Sequence, residues 1–206
     1  MITVFGAPPT RALRVLWMLE EMNLPYEVRR VEFAKRFEDA EFMAVNPAGS
    51  VPAIRDGDAT LNESCAIIEY LGAKYGPTPL TPAASEPHYP AYISMLHFGE
   101  ASLGAPLNIL VASRFFAPEE HKKNWGAEFS IELFVRRSAV LRERLKKGPY
   151  IAGDAFTAAD ISCVYAIGLS KYFGFEDRVD MALRDYAARV SERPAYVRAM
   201  SKAQPL

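Results

Sequence analysis

With 206 residues, half of them hydrophobic, the chain can bury a real core as one large domain or two small ones. Its 24% charged residues and formal net charge of -1 leave no basic surplus for nucleic acid and no charged tail. Apolar runs such as Val15 to Leu19 are too short to span a bilayer, and Met1-Ile2-Thr3-Val4-Phe5 lacks the basic region of a secretory signal, so the chain reads as a soluble cytoplasmic protein without a membrane partner.

Residues 2–6 read as a short strand that ends at Gly6-Ala7-Pro8-Pro9. Thr10 is placed to cap a helix over 11–22, because its hydroxyl can accept an orphan backbone N–H. Arg11 and Arg14 fall on that helix as exposed charges, adding positive potential at most. Tyr26 to Phe33 alternates apolar and charged residues as a strand does. Residues 38–45 read as a short helix or turn, and Asn46-Pro47-Ala48-Gly49 as a loop. Val51 to Arg55 and Thr60-Leu61 flank Asp56-Gly57-Asp58, a hairpin pattern, and a helix follows over 63–74. The order β-α-β-α-β-β-α is a βαβ unit followed by a ββα unit, a thioredoxin-like arrangement.

Gly76-Pro77-Thr78-Pro79-Leu80-Thr81-Pro82 is the sharpest change of composition in the chain. It predicts a thioredoxin-like domain over 1–78, a linker over 79–86 and an all-helical domain over 87–206, so the fold class is α/β plus all-α. Beyond the linker the helical period marks 88–116, 119–147, 158–173, 178–190 and 194–203. Thr157 and Asp160 are spaced as a capping box, with Phe156 and Ile161 as its hydrophobic staple. Cys65 and Cys163 form no Cys-x-x-Cys motif and read as small buried hydrophobes. His88, His97 and His121 show neither metal-ligand spacing nor a Ser/Asp partner pattern.

Several stretches, in order on both sides of the linker, resemble the cytosolic glutathione transferase family. They are Leu24-Pro25-Tyr26-Glu27, Glu41 to Pro47, Val51-Pro52-Ala53-Ile54, Leu61-Asn62-Glu63-Ser64 with Ile67 to Leu71, and Phe156 to Asp160. The resemblance implies a cis bond at Val51-Pro52, which turns the Val51 N–H and C=O outward to pair with a bound peptide backbone. Read alone, Pro52 is an ordinary proline opening an edge strand. At Glu63-Ser64, the serine hydroxyl and the first helical N–H groups suit a carboxylate, and the Glu63 carboxylate suits an ammonium. The γ-glutamyl end of glutathione carries both groups on one carbon. Read alone, Asn62 is an N-cap and Glu63 only favours the helix dipole.

A glutathione transferase must hold its co-substrate's sulfur as a thiolate, although a free thiol titrates near ~8.5. Lowering that by about two units takes roughly 2.7 kcal/mol. A helix N-terminus supplies ~0.3–2 kcal/mol and a charge-assisted hydrogen bond ~1.5–3, so the two together suffice. The resemblance puts the donor just after the first strand, on Thr10; with the loop aligned otherwise the position falls on Ala7 or Pro9, which cannot donate. Two departures mark the glycyl end. Ser50 stands where relatives carry a Lys, and the position of a carboxylate-binding residue falls near Phe37, with Lys35 and Arg36 as substitutes.

The family places a small hydrophobic electrophile between the first-helix loop and the helical domain, which implicates Pro9, Phe98, Phe115 and Tyr165, with Leu103, Phe116 and Tyr172 further candidates. It also implies a homodimer. The first expectation is therefore conjugation of glutathione to such an electrophile. The second is glutathione-dependent reduction of a disulfide or peroxide, or isomerisation. The third is a transferase-like binding domain without catalysis.

Overall fold

Ile2-Thr3-Val4-Phe5 is buried along its whole length, as a central strand must be. In the computed structural model, which describes residues 1–203, this strand β1 (Ile2–Phe5) runs parallel to β2 (Tyr26–Arg29) and antiparallel to β3 (Ala53–Asp56). β3 pairs antiparallel with β4 (Ala59–Asn62) through a tight turn in which Gly57 has φ +62°, giving the sheet order β2-β1-β3-β4. This is the thioredoxin-like sheet. The alternation predicts β2 out to Phe33. The strand stops at Arg29, opposite Phe5, and Phe33–Lys35 is a 3-10 turn. The Arg29 side chain grips Asp39 with two hydrogen bonds of 2.7 and 2.9 Å and Glu41 at 2.6 Å.

The chain divides into two units: Met1–Thr81 together with the segment from Ser191, and Pro82–Val190. In the first, α1 (Ala12–Glu21) and α3 (Ser64–Tyr75) cover the sheet, and α2 (Ala40–Val45) sets Phe42 and Val45 beside Phe5 and Ala53. Every residue of α1 from Ala12 to Leu19 is buried, more than one face against a sheet explains. Its other side is covered by α9 (Pro194–Met200), which the period assigns to the helical domain but which packs on α1. The Tyr196 and Trp17 rings meet edge-on at 4.8 Å, Arg193 forks onto Glu21 at 2.6 and 2.8 Å, and Arg198 reaches Glu20.

The second unit is helical: α4 (Tyr89–His97), α5 (Asn108–Phe115), α6 (Trp125–Leu145), α7 (Ala158–Tyr172) and α8 (Met181–Ser191). The period predicts one continuous helix over 88–116. Instead a π-helical stretch, Phe98–Gly104, and a 3-10 turn, Ala105–Leu107, separate α4 from α5. Pro106 has no N–H to continue an α ladder. Gly99 lies so close to α7 that a Cβ there would stand 2.4 Å from Ser162 Oγ. The Ser162 hydroxyl donates to the Leu96 carbonyl at 2.7 Å, and Arg137 donates to the Ser102 carbonyl at 3.0 Å. Those side chains satisfy carbonyls in and beside the irregular stretch. α6 begins at Trp125 rather than 119 because Asn124 accepts the Ala127 N–H at 2.9 Å as a cap. α8 begins at Met181 because the Asp180 carboxylate accepts the Ala182 N–H at 2.9 Å. The capping box forms at the head of α7, where the Thr157 N–H donates to Asp160 at 2.8 Å. Asp160 also accepts from the Ile151 N–H and the Tyr186 hydroxyl, so it ties three segments together. Both cysteines are buried, and neither is in a disulfide. Among the described residues, no helix is long and apolar enough to cross a membrane.

Candidate functional site

The chain leaves β1 through Gly6, whose φ of +110° suits glycine alone. A Cβ at Gly6 would stand 2.9 Å from Val51 Cβ and 3.4 Å from Ala12 Cβ, so the missing side chain lets the Val51 turn and the start of α1 meet here. In the Ala7–Thr10 turn the Thr10 N–H donates to the Ala7 carbonyl at 3.1 Å. The Thr10 hydroxyl donates to the same carbonyl at 2.7 Å and accepts the Ala12 N–H at 3.2 Å. Thr10 is therefore a turn-former two residues before the helix start. Arg11, not Thr10, stands at the N-cap position. The Pro8-Pro9 bond is cis.

The second segment is the loop from α2 to β3. The Val51-Pro52 bond is cis, and Val51 precedes the β1–β3 register, which ends at Phe5 opposite Ala53. The loop is organised by Asn46, which is fully buried. Its Nδ2 donates to the Ser50 carbonyl at 2.7 Å and the Ser50 hydroxyl at 3.2 Å, and its Oδ1 accepts the Ala48 N–H at 3.2 Å. Oδ1 also accepts from Asn62 Nδ2 at 2.9 Å. That last bond joins the Val51 loop to the residue before Glu63. Ser50 is thus held by Asn46. Phe37, 60% exposed, lies across Gly49, where a Cβ would meet its ring at 2.4 Å. Arg36 stacks its guanidinium on Phe33 and Phe37, 3.9 and 4.3 Å from the ring centroids, and donates to the Phe33 carbonyl at 2.6 Å. Lys35 pairs with Glu32 at 3.3 Å.

The third segment is the head of α3. Glu63 is exposed and stands at the N-cap with φ +64°, an uncommon conformation for a residue with a side chain. Ser64 is the first helical residue and is buried. Its Oγ accepts from Arg14 Nη1 at 3.2 Å. Arg14, expected on an exposed face, is buried completely. The sequence carries a signal for that: Arg14 interrupts the otherwise apolar run Ala12 to Leu19, so the face it shares must point inward. No comparable signal distinguishes Asn46 from the other loop residues. α3 is a 12-residue helix, and its first N–H groups, the Ser64 hydroxyl and the Arg14 charge together favour an anion.

The head of α3 suits an anion, and the exposed Glu63 carboxylate suits a cation. Family models for the glutathione S-transferase N-terminal and C-terminal domains match residues 10–74 and 108–198. The glutathione S-transferase GstB of Escherichia coli strain K12 is 31% identical over 201 residues, covering 95% of each chain. The chain belongs to the glutathione S-transferase family. Within that enzyme family it is also similar to a protein named probable maleylacetoacetate isomerase from Vibrio cholerae, 28% identical over 202 residues with 94% and 92% of the two chains covered. A solved glutathione transferase from Burkholderia graminis, with two glutathione molecules per subunit, superposes with a TM-score of 0.83 at 28% identity, covering 100% of this chain and 89% of that one.

For a glutathione S-transferase, then, the thioredoxin-like unit gathers Gly6, Thr10, Val51, Pro52, Asn46, Glu63 and Ser64 through the contacts given above. The residues expected around the electrophile are distributed differently. Pro9 is the second proline of the cis pair. In the helical unit Phe98 opens the π-helical stretch and is half-buried. Phe115, at the end of α5, is 52% exposed with its ring 6.5 Å from that of Phe173, whereas Tyr165 on α7 is buried at 7%.

Proposed function

We propose that this glutathione S-transferase conjugates the glutathione thiolate to a small hydrophobic electrophile. The observation that carries the reading is the Asn46–Asn62 bond, which couples the loop bearing Val51-Pro52 to the turn bearing Glu63-Ser64. Two segments that would hold one peptide are thereby held at a fixed separation. In this reading the Val51 main chain pairs with the cysteinyl residue. Ser64 and the α3 amides take the γ-glutamyl carboxylate, and Glu63 takes its ammonium. Ser50 and Phe37 lie at the glycyl end. The sulfur is directed to the turn at Thr10, where that hydroxyl and the start of α1 stabilise the thiolate. The hydroxyl proton serves the Ala7 carbonyl in the free protein, so Thr10 must rotate its hydroxyl hydrogen toward the sulfur when glutathione binds. The thiolate then attacks the electrophilic carbon, an S–C bond forms, and the leaving group departs with its electron pair. Within the helical unit, the half-buried Phe98 and the exposed Phe115 offer apolar surface to the electrophile. The working form is a homodimer, which sedimentation equilibrium tests directly.

The deciding experiment is the pH-rate profile with a generic aryl halide beside a mixed glutathione disulfide. Turnover of the halide with a thiol ionisation below ~8.5 is expected. Halide turnover no faster than the solution reaction at saturating glutathione rejects conjugation. Turnover of the disulfide alone moves the assignment to reduction.

A further inference from the structure

Ser64 opens α3, and Arg14 reaches it from α1, fully buried, with Nη1 donating to Ser64 Oγ at 3.2 Å. A guanidinium carries donors and no acceptor, and it stays protonated. The bond therefore has only one direction. Ser64 Oγ accepts from Arg14, and its own proton is left for something else. An ordinary serine hydroxyl is a rotor that donates or accepts as its neighbour requires. Here one of its two lone pairs is held by a cation, which polarises the O–H into a better donor and makes the remaining lone pair a poorer acceptor. The neighbouring groups at the head of α3 are N–H donors as well. Around Ser64, apart from the Glu63 carboxylate, the protein thus presents a polarised O–H, backbone N–H groups and a buried cation, a set that suits a ligand group that only accepts.

We propose that Arg14 is a positioning residue that biases the Ser64 hydroxyl toward donating, and so makes this end of the site select a carboxylate over the corresponding carboxamide. The proposal rests on the reading of Ser64 as part of the glutathione site. A γ-glutamyl α-carboxamide replaces one carboxylate oxygen by N–H groups, which a polarised hydroxyl and backbone N–H groups beside a buried cation match poorly. Without Arg14, the Ser64 hydroxyl accepts as readily as it donates, and the discrimination falls.

The test is calorimetric titration of the whole chain with glutathione and with its γ-glutamyl α-carboxamide analogue. The wild type is expected to prefer glutathione by about tenfold to a hundredfold, the range of one charge-assisted hydrogen bond. In Arg14→Met the preference shrinks by about tenfold, with the loss falling on glutathione. Arg14→Gln, whose amide oxygen can accept from Ser64, shows the same shrinkage with a polar side chain in the buried position. Arg14→Lys, again donor-only, retains the preference. Adding Arg14→Met to Ser64→Ala costs no further affinity if Arg14 acts through Ser64. An unchanged preference in the Met and Gln variants overturns the proposal. So does an equal loss for both ligands, as expected of a merely structural arginine, or a further loss in the Ser64→Ala background. Failure of the wild type to bind glutathione at all rejects the underlying site instead, so the two failures are distinguishable.

Discussion

Asn46 has its amide fully buried and spends its side-chain hydrogen bonds on Ala48, Ser50 and Asn62. Removing such a group leaves buried partners unsatisfied, which costs more than the bond itself. Asn46→Ala is expected to lower stability by about 1–3 kcal/mol and to weaken glutathione binding by about tenfold, because the Val51 loop and the Glu63 turn lose their link. Urea denaturation and calorimetry measure the two effects. Thr10 is a different case, since its hydroxyl bonds locally, to Ala7 and Ala12. Thr10→Ala should lower kcat by about tenfold to a hundredfold and leave the affinity for glutathione within about threefold. The thiol ionisation in the pH-rate profile should move up. An unchanged kcat would pass activation of the thiol from Thr10 to the amides at the head of α1.

Among the elements, the α3–β3 junction carries the clearest pH dependence. Burial pushes the Asp56 carboxyl up, but hydrogen bonds from Lys74, Tyr75 and Tyr70 outweigh it and hold the group below its ordinary value. A carboxyl that ionises more readily folded than unfolded adds stability above its unfolded pKa of about 3.9, and loses it as pH falls through the folded value. Asp56→Asn should therefore be less stable than wild type at pH 7, and the difference should close on acidification below about pH 4. Urea midpoints for both proteins across that interval measure it; a gap that stays constant from neutral to acid pH would count against this role. α9 stabilises α1 by another route. Arg193, just before it, and its own Arg198 grip Glu21 and Glu20, while Trp17 donates to the same Glu21 at 3.0 Å and meets Tyr196 edge-on. The helix whose head carries the Thr10 turn is thereby held at its far end by residues more than 170 positions later.

At the scale of the molecule, glutathione binding stabilises whichever cooperative unit contains the site. A ligand at one hundred times its Kd adds about 2.7 kcal/mol to the native state by mass action. The thermal transition of the unit containing Met1–Thr81 should accordingly rise by roughly 10–20 °C with glutathione at that level in scanning calorimetry. A transition that stays in place up to millimolar glutathione would remove the co-substrate from the assignment.

The order of strands and helices, the Gly57 turn and the Thr157–Asp160 capping box were all legible in the sequence. Each depends on residues within a few positions of one another, the range over which backbone hydrogen bonds and side-chain periodicity act. The candidate site was legible only as separate pieces: a Val-Pro turn, a Glu-Ser helix start and a hydroxyl after the first strand. Tertiary structure decided how those pieces relate. It buried Arg14 against Ser64, 50 residues away, and joined Asn46 to Asn62 across 16. It broke the 88–116 helix where Gly99 meets Ser162, and it returned the last helix to α1. Local pattern records whether a residue is polar or apolar, but not which distant group will meet it. A buried arginine or asparagine is tolerated only once its partner has been brought to it, so its role appears only in the folded chain.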